Sequence, residues 1–323
     1  MALFEDLKAL PKIDLHIDFL GSIPKNTLYN LTKDNTTREQ VEEVIDFDSL
    51  KDYDNVKLLT KNLLNSYKNI EIALIDLIQK LKTDNVIYGE LFINLDSFLN
   101  NLDKRTILEI CFNTIKNENI NLNIVLEIES SISKEEMYTD LNLLYDFYNK
   151  GINGVYFKKN KLENFETYKS LFDKFIKDDI KYIILLDSKI TTQDKEIFTH
   201  ANRIIYNLLI EPDELLKNII RENNIILEFP ITYQNYFNIY DTLENHFIYN
   251  IFKDNILLTF TTIDMTSLDT DLLNEYCKLF NVFPFSLHDL IIININILNN
   301  INVSLDIKNK LIDEYKEKAN KLL

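Results

Sequence analysis

A chain of 323 residues, 46% hydrophobic and 27% charged, has enough apolar material for a sizeable core and lies in the ordinary soluble globular range. Its net charge of −16, from 35 basic and 51 acidic residues, argues against a nucleic-acid backbone or an anionic membrane as the main partner. Cys111 and Cys277 are the only cysteines; two thiols cannot form a zinc cage and suggest no secreted disulfide scaffold, so a cytoplasmic location is expected.

The opening "MALFEDLKALPK" has no basic segment followed by a long apolar one, so no signal peptide is expected. No uninterrupted apolar run approaches the ~18–20 residues of a membrane-spanning helix; "LIIININILNNINV" is broken by Asn. Eight short β-branched or aromatic runs then follow in chain order: "KIDLHIDF" (12–19), "VIYGELFI" (86–93), "NLNIVLEI" (121–128), "GVYFKK" (154–159), "KYIILLD" (181–187), "NRIIYN" (202–207), "NIILEFP" (224–230) and "NILLTFTT" (255–262). Most are nearly continuous apolar runs, the pattern of parallel strands covered on both faces. Between them, segments such as "NIEIALIDLIQKLKTDN" and "PDELLKNIIREN" repeat apolar residues at helical spacing.

Eight strands alternating with helices predict an α/β fold, a single (β/α)8 TIM-type barrel spanning 1–323 as one domain. A doubly wound sheet is the alternative, but no Gly-rich turn follows the first strand. The insertion from 29 to 70 is expected to be helical and to lie over the barrel mouth. "SLHDLIIININILNN" and "SLDIKNKLIDEYKEKANKLL" read as closing helices at the C-terminus.

The first strand ends in His16 and Asp18, two potential metal ligands one residue apart. Strand side chains alternate with period two, so both point to the same side. With the strands placed, "PKIDLHIDFLGSI" resembles the first strand of the adenosine deaminase family, Pro-Lys-x-x-Leu-His-x-His-Leu-x-Gly-(Ser/Ala). "VIYGELFI" resembles its Tyr-x-Glu-x-Arg element. "ANRIIYNLLIEPDELLKNIIRENNIILEFP" resembles Asp-Arg-Ile-Gly-His-Gly, a helix, then Leu-Glu-x-Cys-Pro. "NHFIYNIFKDNILLTFTTIDMTSLDTDLLNEY" resembles the run from His-Pro through Thr-Asp-Asp-Pro to Leu-x-x-Glu-Tyr.

The resemblance implies a site in which three His and one Asp hold zinc, with a Glu and a further His moving protons. Bound water is then acidic enough to attack C6 of a purine. Carried over residue by residue, the first metal His is kept as His16 and the second becomes Asp18. The third falls on Leu186, and the ligand Asp falls on Ile263. The catalytic Glu falls on Lys189 and the assisting His on Tyr206. Gly21, Glu90 and the purine-contacting Asp264 match the pattern.

Two counts bear on this without the alignment. The chain has four His (16, 200, 246, 288), of which only His16 lies at the end of a predicted strand, and only four Gly. The expected protein is therefore a catalytically inactive or impaired deaminase homologue, a pseudoenzyme without zinc, binding a purine or a partner protein at its mouth. One alternative is an active purine deaminase or other hydrolase with a rebuilt, oxygen-rich Mn2+ or Mg2+ site from His16, Asp18, Glu90, Asp187 and Asp264. Another is a regulatory subunit of an active paralogue, or a homo-oligomer. For His16 the plain structural expectation is a hydrogen bond to a neighbouring carboxylate, and for Glu90 an ion pair with Lys159 or Lys161. Asp187 reads as a helix N-cap. A mouth rich in carboxylates without a metal needs a cation, and Lys189 is the expected one.

Overall fold

In the computed structural model, which describes residues 2–32, 41, 50–98, 102–159, 165–187, 195–208 and 210–323, all eight apolar runs contain strands. They are β1 (Lys12–Asp18), β2 (Val86–Asn94), β3 (Leu122–Glu129), β4 (Ile152–Lys158), β5 (Tyr182–Leu186), β6 (Arg203–Tyr206), β7 (Ile226–Phe229) and β8 (Leu258–Phe260). Neighbours in sequence are neighbours in the sheet, and every pairing is parallel. Just past β8 the sheet meets its own first strand. Ile263 N–H donates to His16 O at 2.9 Å and Asp18 N–H donates to Ile263 O at 2.8 Å. The architecture is the expected (β/α)8 barrel, whose loops after the strand C-termini form its working face.

Strand alternation sorts the apolar residues into two layers. Phe92, Val125, Tyr156, Ile183 and Ile205, with Leu185 against them, form one cluster of their own inside the barrel. A much larger cluster includes Leu186 and Tyr206 and fills the space between the strands and the outer helices.

The helices start and stop for local reasons. Ser66, Asp103, Ser133, Asp213, Asp271 and Ser286 each accept a backbone N–H of the first turn, satisfying a donor that has no partner within the helix. At the other end, Asn85, Asn119, Asn149, Asp179, Asn224, Asn238 and Asn255 take left-handed φ values of 51° to 61°. Each lies two residues past the end of its helix. Glycine usually fills such stops, and Asn is the next best side chain there. A chain with four glycines and abundant Asn thus ends its helices on Asn.

In the insertion, the described helices are Lys25–Leu31, Leu50–Leu63 and Tyr67–Thr83. The helix Leu50–Leu63 reaches the barrel mouth, as its side chains show below. Helices Leu287–Asn300 and Leu305–Ala319 close the chain as expected. Among the described residues, no helix is long and apolar enough to cross a membrane.

Candidate functional site

The interior of the barrel holds a chain of buried charges. His16 Nδ1 lies 2.5 Å from Glu228 Oε1 on β7, and its ring stacks on Phe92 with centroids 3.7 Å apart and planes 14° apart. An ionised Glu228 only accepts, so Nδ1 is the donor. Glu228 also faces Arg203 Nε at 3.0 Å. Arg203 Nη2 donates to Glu90 at 2.8 Å and to Leu15 O at 2.8 Å. Tyr88 and Asn123 extend the network beyond Glu90. The expected bond from His16 to a carboxylate is present. The expected partner of Glu90 is corrected: it is Arg203, since Glu90 sits in the middle of β2, level with the first residues of β6 rather than at the strand ends.

A second network lies at the mouth. Asp18 ends β1, accepts Gly21 N–H at 2.7 Å and so caps the short helix Phe19–Ser22. From the helix Leu50–Leu63, Lys57 reaches down to Asp264 Oδ1 at 2.9 Å and Asp18 Oδ2 at 3.4 Å. Tyr53, one turn earlier, gives its hydroxyl to Asp264 Oδ2, and its ring packs on Tyr233, Tyr236 and Phe237. Burial pulls the Lys57 ammonium toward a lower pKa, but Asp18 and Asp264 outweigh this and hold it well above the usual lysine value. Asp264 is raised to about 6, chiefly because it is buried. Asp18 is half-buried, yet Lys57 and the Gly21 amide outweigh the loss of solvent and keep it below the usual carboxylate value. Beside them Lys158 pairs with Glu127 at 3.3 Å and Glu129 at 3.0 Å.

The remaining sequence-derived positions fall as follows. Leu186 and Tyr206 end β5 and β6 and pack in the outer layer; the Tyr206 hydroxyl donates to Ile210 O at 2.6 Å. The inward neighbours are Leu185 and Ile205. Ile263 has φ +56°, a conformation that Asn and Asp tolerate and a β-branched residue rarely adopts. Asp187 lies 3.8 Å from Lys159. Lys161 and Lys189 lie outside the described residues.

The family model for adenosine deaminase matches residues 11–318. The chain belongs to the adenosine deaminase family. An adenosine deaminase of Clostridium perfringens (strain ATCC 13124) is 25% identical over 327 residues, covering 95% of this chain and 98% of the relative. That of Clostridium acetobutylicum is 24% identical over 309 residues, covering 90% and 92%. Among solved structures, the N6-methyl-AMP deaminase from Arabidopsis thaliana superposes with a TM-score of 0.85 at 18% identity, covering 98% of this chain and 99% of that one. The adenine deaminase of Arthrobacter aurescens gives 0.81 at 13% identity, covering 96% and 99%. These superpositions speak to the fold.

The adenosine deaminase family is generally zinc-dependent, and the described donors do not fit that metal. Leu186 and Ile263 carry no donor atom, nor do the inward neighbours Leu185 and Ile205. The carboxylates Asp18 and Asp264 face the same ammonium, and His16, whose Nδ1 donates to Glu228 and leaves Nε2 as its one free nitrogen, is a single ligand without partners among the described residues. Among the described residues, no group of three or more His, Cys, Asp or Glu is placed to hold a metal ion. Catalytic zinc needs three protein ligands and an open position.

Sequence reasoning did not find Lys57, Tyr53, Arg203 or Glu228. Arg203 left a signal: it is one of four arginines in a lysine-rich chain and interrupts an apolar strand run. Such a charge must be buried with a partner. Lys57 left none, because a lysine in an amphipathic helix is by default a solvated one.

Proposed function

We propose that this chain is a non-catalytic member of the adenosine deaminase family, one barrel unit over 1–323, with Lys57 at the mouth in place of zinc. The carrying observation is the Lys57 ammonium between Asp18 and Asp264. In this reading His16 and Asp18 are remnants of the metal set, and Lys189 and Tyr206, which align with the family's acid and base, do not supply their chemistry. Gly21 and Asp264 are the retained purine-contacting pair.

The ligand class in this reading is a purine nucleoside or nucleotide. Support comes from relatives named adenosine deaminases and from Arabidopsis ADAL structures complexed with IMP and with GMP. The cavity beside Lys57 measures about 90 Å3, whereas small-molecule sites run from about 300 Å3 upward. A purine therefore enters only when Tyr53 and Lys57 withdraw with their helix.

A second reading, an active purine deaminase with a rebuilt site, draws on the family match along nearly the whole chain. Purified protein tested for zinc, manganese and magnesium content, and for turnover of adenosine, adenine, AMP and N6-methyl-AMP, separates the two. Metal-free protein without turnover, stabilised by IMP in a thermal-shift assay, is the expected result. One zinc per chain with deamination above background overturns the non-catalytic reading.

A further inference from the structure

We propose that the barrel mouth is a binding site for a primary ammonium group, and that Lys57 is its built-in occupant. The inference deepens the non-catalytic reading and rests on it, because there the positive charge of the mouth comes from the chain itself. Three features make the site specific for an ammonium. Asp264 is completely buried, and its Oδ1 has no hydrogen-bond partner apart from the Lys57 contact at 2.9 Å. Asp18 supplies a second carboxylate at 3.4 Å. The Tyr53 ring supplies an aromatic face 5.3 Å from the same nitrogen. Two carboxylates and an aromatic face around one nitrogen are what a small alkylammonium ion requires.

The neighbouring charges do not compete for this role. Glu127 and Glu129 have Lys158, and Glu90 and Glu228 have Arg203. Among the described residues, Lys57 is the cation within 4 Å of Asp18 and Asp264. Its side chain is 29% exposed, and the small cavity beside it is lined by Asp18, Phe92 and Glu127 as well. An amine from solvent therefore has a path to Asp18 through this cavity, and the space vacated by the lysine side chain leads on to Asp264.

The test is rescue of Lys57→Ala by n-propylammonium, which replaces the atoms removed from the lysine beyond its β-carbon. Melting temperatures of the wild-type chain and the variant are measured with n-propylammonium chloride, n-propanol, tetramethylammonium chloride and sodium chloride. Expected is a lower melting point for Lys57→Ala, raised by millimolar n-propylammonium and by none of the other three, with the wild type unmoved. A variant that melts like the wild type, or an amine effect equal in both proteins, overturns the proposal. Where Lys57→Ala yields no folded protein, Lys57→Arg and Lys57→Gln carry the test. Both Arg and Gln melting well below wild type supports the ammonium site; an Arg protein as stable as the wild type shows that any cation serves and overturns it, as does a Gln protein as stable as the wild type. Zinc content of the same preparations keeps the two claims apart. One zinc per chain removes the non-catalytic reading, whereas metal-free protein without rescue removes the ammonium site alone.

Discussion

Gly21→Ala is a small substitution with a large expected effect. Gly21 lies in the short helix Phe19–Ser22, where alanine is intrinsically better by about 1 kcal/mol. A methyl group there, however, would sit 1.7 Å from Asp264 Oδ1 and 2.5 Å from its Cγ, so something must move. The Gly21 backbone is fixed, because its carbonyl accepts from Thr266 N–H at 2.8 Å and Ser267 N–H at 3.0 Å while its N–H donates to Asp18. The Asp264 side chain must therefore swing out and release Lys57 and Tyr53. Two interactions with a charged group, at about 1.5–3 kcal/mol each, amount to roughly 3–6 kcal/mol. The gain in propensity reduces this to a net loss of roughly 2–5 kcal/mol. Urea unfolding followed by circular dichroism reads the loss directly. Because Gly21→Ala and Lys57→Met both act through Asp264, their double mutant should lose less than the sum of the singles. A Gly21→Ala protein as stable as the wild type would refute this packing of Asp264.

Lys57→Met alone should lower stability by roughly 2–4 kcal/mol, the cost of stranding buried Asp264 reduced for the partial exposure of the lysine; an unchanged urea midpoint counts against the pairing. Arg203→Gln leaves Glu90 and Glu228 in the barrel interior with no cation, and should cost at least about 3–5 kcal/mol, seen as a low midpoint or loss of soluble folded protein. His246 is buried, which lowers its pKa to about 4, while its Nδ1 accepts Ile248 N–H at 3.1 Å. The unfolded chain takes up a proton at ordinary histidine pH that the folded chain refuses. Its contribution is therefore complete above about pH 6.5 and is lost as pH falls toward 4, by about 3 kcal/mol. His246→Asn keeps an acceptor and does not titrate, so its stability should fall less over that range; an identical slope in both proteins would show that His246 is not the group.

The sequence by itself determined the barrel. Each strand is a local apolar run, each helix a local periodicity, and eight alternations of the two leave few topologies, so "VIYGELFI" and "NIILEFP" were legible one window at a time. It also determined the family, since the motif order from His16 to Asp264 is written along the chain. The tertiary structure alone decided the partners of the charges. Glu90 finds Arg203 rather than a lysine because the stagger of the strands sets β6 opposite the middle of β2. His16 finds Glu228 from 212 positions away. Whether Leu186 and Tyr206 face the barrel or the helices turns on a register of one residue, which reverses every side chain of a strand. Lys57 could be found only after folding. Its helix is amphipathic like any surface helix, and only the packing of that helix over the mouth converts one of many solvated lysines into the counter-charge of Asp264.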